Sequence, residues 1–173
     1  MLADDSGHTY RSGRLAQREP EHEVKIYLAA PYAGRDILKE QLDFWTEHGY
    51  EVTCGWVKGT RPLGAASYGI SAVSTDEEVK AHAQMDLADI DEADVLVHYT
   101  AQYLQSLDPT LGSVTHNLHS GGRHVETGYA IAKDIPVVVI GPLENIFQRG
   151  LCLQAWDLDG ALAALDLVKE FAS

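Results

Sequence analysis

The sequence has few cysteines, few basic residues and no long hydrophobic run. Cys54 and Cys152 are the two cysteines among 173 residues, which is too few for a disulfide framework or a cysteine-based zinc site. Lys and Arg number 13 against 26 Asp and Glu, giving a formal net charge of −13. Sequence-independent binding to DNA or RNA, and adsorption to an anionic membrane, both need clustered cations. We therefore expect no nucleic acid polymer and no membrane as partners, although a helix N-terminus with one or two arginines can still bind a small anion.

The absence of membrane and export signals points to the same class of protein. No run of about 18 apolar residues occurs, and the N-terminal residues lack the apolar segment of a signal peptide. Residues 1–23 are polar and aperiodic, which predicts a mobile N-terminal extension. Residues 24–173 are then expected to form one domain with a substantial core. Together these features predict a soluble cytoplasmic protein.

Short apolar segments alternate with helical patterns along the chain. The predicted strands are 24–30, 50–56, 94–99, 135–140 and 151–156, and the predicted helices are 36–48, 75–93, 122–133 and 158–171. Residues 58–74 and 100–122 show no clear element and are predicted to be long connections. Strands that are apolar on both faces indicate a parallel sheet covered on both sides. The sequence thus predicts an α/β fold: a flavodoxin-like, doubly wound parallel sheet of about five strands in three layers, with ligands bound at the carboxyl ends of the strands.

The helix predicted at 75–93 carries a carboxylate on its apolar side. At about 100° per residue, Asp86 falls beside Val79 in a stripe that also contains Ala83, Leu87 and Ile90. In one interpretation Asp86 lies at the edge of the stripe and bonds a nearby loop. In the other it is a site carboxylate with a raised pKa, able to donate a proton.

A second carboxylate follows a Gly-Gly pair at 121–122. Two glycines before a helix allow a ligand to approach the backbone, and the free N–H groups of the first turn favour an anion. Glu126 is expected in or near that turn, where the helix dipole keeps it ionised, as a nucleophile requires. The alternative is an ordinary acidic residue near a helix start. The predicted packing stripe of this helix, which does not include Glu126, is Val125, Tyr129 and Ala132.

Other candidates carry weaker signals. His116, His119 and His124 lie in or beside the long connection, but no metal-binding signature accompanies them. We therefore predict solvated loop histidines and no metal. Tyr27 on the first strand is either a core aromatic or a site hydroxyl, and Arg35 is either a surface charge or an anion clamp.

Four ordered motifs resemble a known family over about residues 25–156. They are Lys25–Pro31, Gln84–Ile90, Gly122–Ala130 and Gly141–Phe147. Together they resemble the nucleoside 2-deoxyribosyltransferase superfamily, which includes deoxynucleoside 5′-monophosphate N-glycosidases. The last motif is similar to phage-borne members. The resemblance implies a flavodoxin-like fold, no cofactor, and a small-molecule nucleoside or nucleotide as substrate.

The resemblance also implies roles for individual residues. Glu126 matches the family nucleophile, Asp86 matches the carboxylate that assists the base, and Tyr27 matches a first-strand tyrosine near the site. Ser120 is similar to the serine that nucleotide hydrolases use for the 5′-phosphate. Asn145 aligns with a residue that members lend to a neighbouring subunit, which implies a homo-oligomer, a dimer or larger.

Substrate binding is expected to involve three further residues, namely Gly122, Arg35 and Arg123. The resemblance leaves three functions open. The first is transfer of a deoxyribosyl group to another base, the second is hydrolysis of a deoxynucleoside 5′-monophosphate, and the third is a non-catalytic nucleotide-binding module.

Overall fold

The computed structural model describes residues 23–59, 75–113 and 121–172. Within these ranges the strands form one sheet in the order β2-β1-β3-β4-β5, and all neighbouring pairs are parallel. This order is that of the flavodoxin-like doubly wound fold, so the predicted fold class is confirmed. The strands are β1 (Val24–Ala29), β2 (Tyr50–Val52), β3 (Val95–Tyr99), β4 (Val137–Ile140) and β5 (Leu153–Ala155).

Helices connect these strands. They are α1 (Arg35–Glu40), α2 (Leu42–Glu47), α3 (Gly55–Lys58), α4 (Asp76–Asp91), α5 (Ala101–Leu107), α6 (Gly122–Ala132), α7 (Ile146–Leu151) and α8 (Leu158–Ala172). Two short 3₁₀ turns span Tyr32–Gly34 and Pro109–Ser113. In the described ranges none of the helices combines the length and apolarity needed to cross a bilayer.

The helices cover both faces of the sheet. Side chains alternate between faces along a strand, and on β3 the neighbours His98 and Tyr99 point to opposite sides. The Tyr99 hydroxyl accepts a hydrogen bond from Trp45 Nε1 of α2 (3.1 Å), whereas His98 contacts α6 through Thr127 (2.7 Å). Helix α8 lies on the α2 side, where Lys169 Nζ is 4.1 Å from the centre of the Tyr50 ring. Helix α6 lies on the opposite face, and α4 packs against it there.

Helix α4 begins where the sequence predicts. Thr75 Oγ1 accepts a hydrogen bond from Glu78 N (3.2 Å), and Glu78 Oε2 accepts one from Thr75 N (2.9 Å). This capping box satisfies two backbone donors that the helix start would leave unpaired.

Two elements in the first half of the chain differ in length from their predictions. The helix predicted over 36–48 is divided at Gln41 into α1 and α2. The strand predicted over 50–56 ends at Val52, because Asp89 of α4 diverts the chain. Its carboxylate accepts a hydrogen bond from Gly55 N (2.7 Å), and its carbonyl accepts one from Thr53 Oγ1 (2.9 Å). The chain then enters α3 instead of continuing the sheet.

Two further predictions fail because side-chain caps start helices too short to show a periodicity. The connection predicted over 100–122 contains α5 and a 3₁₀ turn. Thr100 caps α5, its hydroxyl accepting a hydrogen bond from Tyr103 N (3.2 Å). The fifth strand is shorter than predicted and follows α7, which Asn145 caps. The rest of the predicted connections, residues 60–74 and 114–120, lies outside the described residues.

A glycine at the carboxyl end of β4 directs the chain back over the sheet. Gly141 has φ +108°, a conformation that L-residues with a side chain rarely adopt. A Cβ atom there would also collide with the Thr100 side chain. The turn thereby places the segment 142–145 beside the carboxyl ends of β3 and β4.

Candidate active site

The sheet-facing side of α6 is polar, contrary to the sequence prediction. Val125, predicted to pack in the core, is 69% exposed, and Ala132 is also exposed. The buried residues of the helix are Arg123, Thr127 and Ala130. The prediction was wrong because it placed apolar residues against the sheet, whereas the strands below α6 offer polar partners, Tyr27 and His98.

Tyr27 and Glu126 are joined by a hydrogen bond. The Tyr27 hydroxyl donates to Glu126 Oε1 at 2.8 Å, and the Tyr27 ring is fully buried in β1. Burial first, and then the Glu126 charge, raise the pKa of Tyr27 well above its usual value. The phenol therefore stays protonated and remains a hydrogen-bond donor to the carboxylate. Tyr27 is thus a core aromatic, one of the two alternatives that the sequence left open, and its hydroxyl is hydrogen-bonded to Glu126.

Asp86 acts on the same hydroxyl from α4. After burial and Glu126, its negative charge is the next cause that raises the pKa of Tyr27. Asp86 is half-buried, and so are Val79 and Leu87 of the predicted stripe; Ile90 is buried, but Ala83 is exposed. Glu126 of α6 thus contacts the phenol, and Asp86 of α4 acts on it electrostatically. The phenol lies beside the junction of β1 and β3, where the strand order reverses and where such folds bind ligands.

Glu126 lies deeper in its helix than the sequence suggested. It is the fifth residue of α6, and the first turn contains no acidic residue. The field of a helix dipole falls off within about one turn. The helix N-terminus therefore acts on Glu126 less strongly than predicted, and the Tyr27 hydroxyl donates a hydrogen bond to its carboxylate.

A buried thiol lies close to the carboxylates. Cys54 is fully buried between β2 and α3. Burial, with smaller contributions from Asp89 and Glu126, raises its pKa to about 12. The thiol is therefore protonated near neutral pH and offers no thiolate nucleophile.

Two of the residues expected to bind the substrate, Arg35 and Asn145, make hydrogen bonds within the protein. Arg35 Nε donates to the Trp56 carbonyl of α3 (2.7 Å), which fixes the guanidinium beside that helix. Gly122 is the exposed first residue of α6, and no described atom would contact a side chain added there. Asn145 uses its side-chain oxygen to accept hydrogen bonds from Phe147 N and Gln148 N (both 3.0 Å). Ser120 lies outside the described residues.

Arg123, also expected to bind the substrate, belongs to a network at the carboxyl ends of β3 and β4. Its Nη2 donates to Glu144 Oε1 (3.0 Å). The other carboxylate oxygen is 3.2 Å from His98 Nε2 and 3.5 Å from His124 Nε2. Two hydrogen bonds from His98 and Arg123, with their positive charge, outweigh burial and lower the pKa of Glu144 to about 2.

His124 is not the solvated loop histidine that the sequence predicts. It lies in the first turn of α6, its side chain is 35% exposed, and its ring centre is 5.4 Å from that of His98. Burial lowers the pKa of both imidazoles. Among the described residues, His98, His124 and Glu144 have ligand atoms within 4.8 Å of one another. His116 and His119, the other members of the predicted histidine group, lie outside the described residues.

The sequence did not predict the buried polar contacts that join His98, Thr127, Glu144 and Gln148. The available signal was a histidine inside the otherwise apolar strand segment Val-Leu-Val-His-Tyr, since a fully buried imidazole needs a partner. The partners come from α6 and from the segment after Gly141. They are 29 and 46 residues away in the chain, and no periodic pattern links them to His98.

Comparison with known proteins finds similarity to solved structures alone. Neither protein-family models nor curated proteins give a match. A solved structure of the CMP N-glycosidase BcmB from Clostridium botulinum is 17% identical, covering 83% of this chain and 98% of that one, with a TM-score of 0.46. At that similarity the fold assignment depends on the strand order described above, and the activity of BcmB is not transferred to this chain.

Proposed function

We propose that the protein cleaves the N-glycosidic bond of a deoxynucleoside or of its 5′-monophosphate and transfers the sugar to another base. The observation that carries the proposal is the 2.8 Å hydrogen bond from Tyr27 to Glu126, at a hydroxyl whose pKa Asp86 also raises. Two carboxylates on one rim are what retaining cleavage at a sugar carbon requires. The motif resemblance assigns the same two residues.

In the first step Glu126 attacks the sugar. A carboxylate oxygen of Glu126 forms a bond to C1′ as the C1′–N bond breaks, and that bond's electron pair leaves with the base. Asp86 delivers a proton to the departing base and becomes a carboxylate. Tyr27 holds Oε1 of Glu126, so that the second oxygen faces the sugar in a fixed orientation.

In the second step the covalent sugar ester is resolved. The nitrogen of an incoming base attacks C1′, Glu126 leaves as a carboxylate, and Asp86 takes up the proton that the incoming base loses. If water takes the place of the base, the same step releases free sugar, and the enzyme is a deoxynucleoside 5′-monophosphate N-glycosidase, the alternative function. Neither route requires a cofactor.

We further propose that Ser120, Arg35 and the start of α6, with Gly122 and Arg123, bind the 5′ end of the substrate. Among the described residues, no atom lies within 4 Å of a Cβ atom added at Gly122, which supports the approach of an anionic group to the first turn of α6.

The proposal includes a homo-oligomer in which Asn145 approaches a neighbouring site. Five of the apolar side chains that the described structure leaves exposed fall within residues 146–156. They are Ile146, Phe147, Leu151, Leu153 and Trp156. Groups of exposed apolar residues mark association surfaces, and β5 is also an edge strand of the sheet.

Product analysis tests the function. The protein is incubated with deoxynucleosides, their 5′-monophosphates and the ribose counterparts, with and without a second base, and products are separated by chromatography. Base exchange identifies a transferase, and free sugar identifies a hydrolase. Glu126→Gln should lower turnover by about 10³-fold or more, whereas Glu92→Gln, an exposed residue of the same type, should not. Turnover by Glu126→Gln at the wild-type rate contradicts the mechanism, and saturable binding without base release indicates a non-catalytic binding module.

A further inference from the structure

The cluster of His98, His124 and Glu144 joins three separate parts of the fold. His98 is on β3, His124 is on α6, and Glu144 follows the Gly141 turn after β4. His98 is fully buried, while the His124 and Glu144 side chains are 35% and 22% exposed. Three potential electron-pair donors therefore meet at a point that is closed on the strand side and open to solvent on the other.

Gln148 contacts both His98 and Glu144. Glu144 N donates to Gln148 Oε1 (2.7 Å), and the amide nitrogen of Gln148 is 3.3 Å from His98 Nε2. On the other side of the ring, His98 Nδ1 is 2.7 Å from Thr127 Oγ1. A metal ion bound at Nε2 would leave the ring proton on Nδ1, where the Thr127 hydroxyl can accept it.

The potential ligand atoms of the cluster lie close together. Oε2 of Glu144 is 3.2 Å from His98 Nε2 and 3.5 Å from His124 Nε2. A neutral imidazole can present a lone pair at Nε2, and a carboxylate presents lone pairs on both oxygens, so a cation between the three atoms would be attracted to all of them. Arg123 Nη2 donates to the other carboxylate oxygen, Oε1.

Two of the three separations in the cluster match the edges of a small tetrahedral site, and the third is within 4.8 Å. Zinc bonds to imidazole nitrogen and carboxylate oxygen are about 2.0–2.1 Å long, so neighbouring ligand atoms are about 3.3–3.4 Å apart. Both measured edges, 3.2 and 3.5 Å, are close to that spacing. The Nδ1 contact from His98 to Thr127 is the outer-sphere hydrogen bond that ligating histidines commonly make.

We propose that His98, His124 and Glu144 bind a divalent transition-metal ion of the zinc class, with a fourth position open to water. Two imidazoles and one carboxylate suit Zn²⁺ or Co²⁺ better than Mg²⁺ or Ca²⁺, which prefer all-oxygen ligands. The proposed glycosyl transfer uses no metal, although Arg123, which we assign to the 5′ end of the substrate, donates to Glu144. Binding would link β3, α6 and the segment after β4.

The test uses the untagged full-length chain, stripped with chelator and titrated with Zn²⁺ or Co²⁺ alone. We expect one equivalent of Zn²⁺ by calorimetry, a rise in melting temperature, and visible Co²⁺ absorption of the intensity typical of four-coordinate sites. His124→Ala should weaken Zn²⁺ binding by about tenfold or more, as should Glu144→Gln. Each variant is compared with its own metal-free form, so a loss of stability from the substitution does not affect the comparison.

The control is the double variant His116→Ala/His119→Ala, which removes the other histidines near this part of the sequence. It should bind Zn²⁺ as the wild type does. The proposal is overturned if the wild type binds no Zn²⁺ at one equivalent, if His124→Ala and Glu144→Gln bind as tightly as the wild type, or if the double variant loses binding. Base release in the product analysis is measured separately, so failure of either proposal leaves the other standing.

Discussion

At the scale of single residues, Tyr27 links the core to the candidate site. Its ring packs in the centre of the sheet, while its hydroxyl holds Glu126. A phenol with a raised pKa cannot serve as a base near neutral pH. Its contribution is therefore to orient the carboxylate and to stabilise its charge.

Replacing Tyr27 by Phe should slow catalysis without unfolding the protein. The ring remains, but a hydrogen bond to a charged group is lost, and such bonds contribute about 1.5–3 kcal/mol. If that contribution is lost in the transition state, kcat falls by about 10- to 100-fold. Tyr129→Phe is the matched control, because Tyr129 also donates to a carboxylate, that of Asp91 (3.0 Å), at the surface. Equal kcat for Tyr27→Phe and wild type would contradict the orienting role.

Cys54 should react slowly with alkylating reagents in the folded protein. With a pKa of about 12, only about one thiol in 10⁴ is ionised at pH 8, compared with about one in four for an ordinary cysteine. In a Cys152→Ser background, alkylation of the folded protein by iodoacetamide at pH 8 should be about 10³-fold slower than alkylation of the same chain unfolded in guanidinium. Mass spectrometry gives both rates. Comparable rates would show that Cys54 is accessible and ionised.

At the scale of elements, the chain leaves α6 through a residue with a left-handed backbone, two positions after the last helical residue. Asp134 has φ +57°. Its N–H donates to the Ile131 carbonyl (3.2 Å), and the Ile135 N–H donates to the Ala130 carbonyl (2.9 Å). This pair of hydrogen bonds is a Schellman motif, in which glycine is favoured at the left-handed position. Asp134 also places a negative charge at the negative end of the helix dipole.

Asp134→Gly should therefore stabilise the protein. Relief of the left-handed strain and of the unfavourable charge outweighs the extra freedom that glycine gives the unfolded chain, and we expect a gain of about 0.5–1 kcal/mol in the free energy of unfolding. Denaturation in urea measures it. Asp134→Asn removes the charge alone and should recover part of the gain. A loss of stability in the glycine variant would contradict this account of the helix end.

Sequence patterns predicted long elements well and short ones poorly. The five-stranded parallel sheet was predicted from apolar runs, and α4 from its helical pattern and from a cap visible in the sequence. Helices α5 and α7 span seven and six residues, which is too few for a helical periodicity to be recognised. In the sequence, only their N-cap residues, Thr100 and Asn145, indicate that a helix starts there. The proposed catalytic residues Glu126, Asp86 and Tyr27 were selected from sequence motifs, and their roles stay predictions. The network around His98 depends on contacts between distant segments, which one-dimensional patterns do not contain.

At the scale of the whole molecule, the exposed apolar residues around α7 predict self-association. Phe147 and Trp156 are 64% and 67% exposed, and burying such side chains between two copies is favourable by about 25 cal/mol per Å². Sedimentation velocity should find the wild type as a dimer or larger species and Phe147→Asp as a smaller one. Leu107→Asp alters an exposed apolar residue of α5 and should leave the assembly intact. A monomeric wild type would contradict the proposal.

The sheet order has a consequence for how the chain folds as it is made. Ile26 of β1 pairs with Val95 of β3, 69 positions further along, and a parallel neighbour cannot be supplied by a hairpin. At about 5–20 residues per second, a ribosome needs roughly 3–14 s to deliver those positions. During that interval one side of β1 has no strand to pair with. The crevice between the two strands therefore cannot exist before β3 has been synthesised. Nascent chains stalled before β3 should be captured by chaperones that bind exposed apolar strands.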